Sequence, residues 1–110
     1  MGQMIRAEAA NAIDQAARRA AFMHWFGLPT READTLTALM AAQGSHQTTD
    51  QLASNCKLSK PSLMVSICTL RKAMHTEAID YEPGRGYRLT EIGLGEAKTA
   101  LIMMAGSLLA

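Results

Sequence analysis

The chain has 110 residues, 48% of them apolar and 5% aromatic, with a formal net charge of +1. That length suits one domain with one core, and the absence of any run of eighteen apolar residues argues against a membrane span. Arg6, Glu8, Asp14 and two further arginines interrupt the N-terminal stretch where a signal peptide would be apolar, so a cytoplasmic location is expected.

Residues 3–26 read as one long helix, with Ile5, Ala9, Ile13, Ala16, Ala20 and Met23 at helical spacing on an apolar face. Eight of the fifteen residues from Ala7 to Ala21 are alanine, which favours the helix but buries little area, so this helix needs a partner. The partner is either its own domain or a second subunit. Phe22, Trp25 and Phe26 are expected to anchor its end to the core, with His24 beside them structural. Gly27-Leu28-Pro29 breaks the helix. Thr30 is the expected cap of the next one, with Glu32 and Asp34 near its positive end and Ala33, Leu36, Leu39 and Met40 on its buried face. Gln43-Gly44-Ser45-His46 ends that helix.

Thr48 or Thr49 opens a short helix in which small Ala53 permits close packing. Lys57-Leu58-Ser59 turns the chain, without the glycine often found there, and Leu58 is expected to re-enter the core. Ser59 is a plausible N-cap and Pro61 suits the first turn that follows. Leu63, Ile67, Leu70 and Met74 then form one apolar stripe. Val65 and Lys72 point away from it, flanked by Pro61, Ser62, Cys68 and Thr69. Two helices joined so closely are a helix-turn-helix. Ile79 and Tyr81 alternate with Asp80 and Glu82, Pro83-Gly84-Arg85-Gly86 turns, and Tyr87 and Leu89 return as a second strand. Thr90 is expected to cap a last helix to about Met104, with Ile92, Ala97, Ala100, Leu101 and Met104 on its apolar side. Gly93 and Gly95 weaken its start, and Leu108-Leu109-Ala110 stays hydrophobic. The fold class is thus mainly α with a small β-hairpin. It divides into an N-terminal helix (1–28), a winged helix-turn-helix (29–90) and a C-terminal helix (91–110), and the two terminal helices are candidates for dimerisation.

The helix VSICTLRKAM followed by IDYEPGRGYRLT resembles the recognition helix and wing of OmpR/PhoB-type effector domains, through Leu63, Ile67, Leu70, Arg71, Lys72, Gly84, Gly86, Tyr87 and Arg88. The likeness covers about thirty residues. Cys68 and Thr69 stand where that family often carries basic residues, and nothing upstream resembles its N-terminal sheet or phosphoacceptor domain. LTEIGLGEAKTAL is similar to the segment after the wing in small dimeric regulators of the MarR and PadR families. These resemblances imply double-stranded DNA as a partner.

Charge supports the same half of the chain. From Lys57 to Leu89 there are six basic residues against three acidic, whereas the first fifty residues hold four basic and five acidic. The expected DNA-contacting set is Ser59, Lys60, Ser62, Val65, Ser66, Thr69, Lys72 and Arg85. Ser62, Ser66 and Thr69 can bond bases or phosphates, Val65 can touch a thymine methyl, and Lys60 and Lys72 can meet phosphates. Arg85 can enter a narrow minor groove from the wing. Cys56 reads as a packing residue and Cys68 as partly exposed; neither has zinc-ligand spacing, and no metal or cofactor is implied. His46 and His75 are expected at the surface, with no carboxylate or serine constellation around either. Phosphate-loop, HExxH and GxSxG patterns are absent, so no enzyme is implied. The expectation is a homodimeric, sequence-specific DNA-binding regulator; the alternative is a winged helix used for protein binding, as an anti-regulator or assembly subunit.

Overall fold

A computed structural model describes the backbone of residues 2–109 and the side chains of residues 14–105. The elements run α1 (Gly2–Phe26), α2 (Thr30–Ala41), α3 (Thr49–Cys56), α4 (Lys60–Ala73), β1 (Ile79–Glu82), β2 (Gly86–Leu89) and α5 (Glu91–Leu109). This is a winged helix-turn-helix with a helix at each end, the architecture expected from the sequence. The side chains of Ile5, Ala9, Ile13 and the 108–110 tail lie outside the described residues.

The core is aliphatic and sits where α2, α3, α4 and the hairpin converge. Leu36, Leu39, Leu52, Leu63, Ile67, Leu70 and Leu89 are fully buried there, and Phe22 brings α1 onto them. Ala97 and Ala100 carry α5 in. The α4 stripe of Leu63, Ile67, Leu70 and Met74 is buried as its spacing requires.

Local chemistry explains the element ends. At Gly27 (φ +69°) the chain leaves α1, and the Leu28 N–H closes back on the Met23 carbonyl at 3.1 Å, with Leu28 buried. Thr48, not Thr49, caps α3, in a reciprocal capping box with Gln51. The left-handed position after α3 falls to Lys57 (φ 57°, ψ 42°), in the turn that lacks a glycine. The hairpin pairs Ile79 with Leu89 and Tyr81 with Tyr87. Gln47 adds a third, one-residue strand, exchanging two 2.8 Å backbone hydrogen bonds with Tyr87.

Several expectations fail. The N-cap of α2 is Pro29, whose extended backbone starts the helix without a side-chain acceptor; Thr30 is already helical and its hydroxyl turns to the Met23 sulfur. The buried face of α1 runs through Ala21 and Phe22, leaving Ala16 and Ala20 exposed, because Phe22 fills the core and sets the helix rotation. Trp25 lies on the outer side, 43% exposed. Leu58 is only half-buried and lies outside the core cluster, since the turn at Lys57 swings it to the rim. Tyr81 and Ile92 are exposed. The last helix runs on to Leu109 rather than stopping near Met104. Gly93 has a steric reason to be there: a Cβ would collide with the Ala78 carbonyl, so the small residue lets α5 press against the hairpin.

Candidate nucleic-acid interface

Ser59 sets the start of α4. Its Oγ accepts the Ser62 N–H at 3.3 Å and donates to the Ser62 Oγ at 3.0 Å, so both hydroxyls are engaged in the cap. Beyond the cap, the exposed residues of α4 are Lys60, Pro61, Met64, Val65, Cys68, Arg71, Lys72 and Ala73. Val65 is 54% exposed, as its position opposite the stripe implies. Thr69 lies half-buried on the flank, its Oγ1 donating to the Val65 carbonyl at 3.2 Å.

Ser66 does not belong to this face. It is wholly buried, with its Oγ 2.8 Å from the Thr35 Oγ1 on α2. Thr35 donates its own proton to the Arg31 carbonyl at 2.9 Å, so the Ser66 hydroxyl is the donor of the pair. A serine so placed cannot meet a base without α2 and α4 separating. The neighbouring Cys56 is half-buried; burial raises its thiol pKa, a nearby Asp34 adds to the shift, and the Thr35 hydroxyl opposes it. It packs, as expected, and stays a thiol. Cys68 is exposed.

The wing turns through Glu82-Pro83-Gly84-Arg85, closed by the Arg85 N–H on the Glu82 carbonyl at 3.0 Å, with Gly84 at φ +83° supplying the left-handed corner. Arg85 stands at the tip, its Nη1 3.4 Å from Glu82 Oε2. Gly86 (φ +102°) passes so close to Gln47 that a Cβ would strike the Gln47 carbonyl. That contact locks the wing to the loop before α3.

Charge on this surface is less free than the sequence count implies. Lys60 Nζ pairs with Asp50 Oδ1 at 2.7 Å and Arg88 with Asp80 at 3.4 Å. Lys57, Arg71 and Lys72 form no ion pair among the described residues. The pairs that do form are solvent-exposed and each contributes at most about 1 kcal/mol, so a phosphate can displace them. His46 departs from expectation: it is half-buried, with Nε2 3.4 Å from Glu82 Oε2 yet in no hydrogen bond. Glu82 reaches it because the wing folds back over the loop before α3. His75 is exposed, its Nδ1 accepting the Glu77 N–H at 3.0 Å.

Met64 is the residue that periodicity overlooked, and it meets the wing at Tyr87. Tyr87 is almost fully buried, its ring 4.8 Å from that of exposed Tyr81 and its hydroxyl donating to the Met64 Sδ at 3.1 Å. Burial is the main cause of a raised phenol pKa at Tyr87; Arg71 opposes it and Tyr81 and Cys68 add to it. The hydroxyl therefore remains a donor at neutral pH. Among the described residues no three His, Cys, Asp or Glu side chains gather as a metal ion would require, and no helix is long and apolar enough to cross a membrane.

No protein-family profile and no curated protein matches the sequence. A solved structure does match: Staphylococcus aureus MepR bound to ethidium bromide, at 16% identity and a TM-score of 0.54, over 99% of this chain and 79% of that one. The shared feature is the winged-helix fold.

Proposed function

We propose that the chain is a sequence-specific, non-enzymatic DNA-binding transcriptional regulator of the cytoplasm, with α4 in a major groove and the wing on the backbone or minor groove. One observation carries the reading. The face of α4 opposite the core is exposed, bears Arg71 and Lys72 without acidic partners among the described residues, and lies beside a wing with Arg85 at its tip. Lys60, Lys72 and Arg85 meet phosphates in this reading, Val65 meets a thymine methyl, and Thr69 flanks it. Ser59 and Ser62 act through the helix start that they hold, where α4 N–H groups face outward. Ser66 drops out of the contact set. The wing helix-turn-helix spans 29–90, and the terminal helices join a second copy. Ile102 and Met103, 70% and 52% exposed on α5, support that dimer.

A second reading has its own support. Met64, Val65 and Tyr81 make the candidate face unusually apolar, which would suit a protein partner. Electrophoretic retardation of genomic fragments at increasing salt separates the two, because phosphate contact must weaken steeply between about 50 and 200 mM salt. Retention that falls with salt, and a shallower salt slope for Arg85→Ala, are expected. Absence of retardation at low salt overturns the DNA reading.

A further inference from the structure

We infer that Met64 is a base-reading residue that contacts a thymine methyl, and that Tyr87 is the positioning residue that holds it; the inference rests on the DNA-binding reading above. Met64 lies beside the apolar stripe rather than in it, and 48% of it is exposed on α4. An exposed methionine has three free torsions and is a poor reader, because ordering them opposes binding. Here the sulfur is held. The Tyr87 hydroxyl donates to Sδ at 3.1 Å, which leaves the terminal methyl as the free end of the side chain.

Tyr87 is itself held from three directions. Its backbone N–H and C=O both pair with Gln47, its ring packs on Tyr81, and little of it reaches solvent. Gln47 is anchored in turn, donating through Nε2 to the Ala38 carbonyl at 3.2 Å and accepting the Asn55 Nδ2–H on Oε1 at 2.7 Å. The link from α2 and α3 through the wing to Met64 is thus continuous. Met64 and the next residue, Val65, are both exposed on α4, as are Lys60, Arg71 and Lys72. Of the four bases, thymine is the one whose major-groove edge presents a methyl group to such an apolar pair, while the cations serve the phosphates on either side.

The test is selection of bound sites from a random duplex library by the full-length chain. It is followed by replacing each selected thymine with deoxyuridine, which removes only the methyl. Wild type should lose about fivefold to tenfold in affinity at one or more thymines. Met64→Ala should bind the thymine and deoxyuridine sites alike at one of those positions. Tyr87→Phe, which keeps the ring, should lose part of the same discrimination while its thermal melt stays near that of wild type. Wild type selecting sites while Met64→Ala keeps every thymine preference would overturn the inference and leave DNA binding standing. Full discrimination by a folded Tyr87→Phe would overturn the positioning role. A wild type that selects no DNA would overturn both readings together.

Discussion

Between Thr30 and Leu89 element ends are closed by nearby residues: the Thr48–Gln51 capping box, the Ser59 cap, left-handed Lys57 and the Pro83–Gly84 turn. The terminal helices follow another rule. Within the described side chains, the buried residues of α1 and α5 are Ala21, Phe22, Ala97 and Ala100 with partly buried Met23, Phe26, Leu94 and Leu101 packed against the core, while Trp25, Ile102 and Met103 remain exposed. The central half is thus self-sufficient in caps and aliphatic packing. Phe22 is the fully buried large side chain of α1, and the two terminal helices leave apolar surface exposed. In the proposed function this division separates two roles: the candidate DNA face needs the central half in register, and the outer face takes the proposed second copy.

The harshest way to break the central half is Gly86→Ala. Its Cβ would meet the Gln47 carbonyl at a left-handed φ, and a loss of about 3–5 kcal/mol is expected from overpacking and strain together. Urea unfolding should show it; a wild-type midpoint would mean that Gln47 does not clamp the wing. Phe22→Ala breaks the other side of the comparison, at about 3–4 kcal/mol for a buried aromatic. Hydrogen exchange should lose protection in α1 first, with the Leu52 and Leu63 region retaining it. Uniform loss across the chain would show that the terminal helices are not a separable tier.

Within the core, Thr35→Val leaves the Ser66 hydroxyl without an acceptor and should cost about 1–3 kcal/mol. Thr35→Val combined with Ser66→Ala should cost less than the two singles added, since both partners then leave together. Strict additivity in thermal melts would deny the pair. Smaller still is an alkaline effect. Cys56 and Tyr87 have pKa values raised by folding, so their neutral forms are favoured in the native state. That stabilisation is whole below their unfolded values, near 9.0 and 10.0, and is lost as pH climbs through those values toward the folded ones. Melts between pH 8 and 11 should fall less steeply for Cys56→Ala than for wild type. Ile102→Asp should change the fold by about 0.5 kcal/mol or less, being exposed, while shifting sedimentation from dimer to monomer. A wild type that already sediments as a monomer removes the dimer from the proposed function.

Sequence alone determined the helices, the helix-turn-helix and the wing, because these depend on signals within a turn of one another. A serine followed by proline starts α4, a four-three-four apolar spacing sets its buried face, and a proline–glycine pair turns the wing. Only tertiary structure decided which flanking residues are available. Ser66 is lost to Thr35, thirty-one positions earlier in the chain. Lys60 is engaged by Asp50 on the neighbouring helix, and His46 comes within reach of Glu82. Met64 is exposed and its sulfur accepts a hydrogen bond from a tyrosine of the wing, twenty-three positions on. Periodicity assigns a side chain to one side of its own helix, but a residue near the edge of a face is buried or free according to which neighbouring element leans over it. That lean is set by long-range packing of Phe22, Leu36 and Leu89 and by the Gln47–Tyr87 backbone clamp, none of which leaves a local sequence signal.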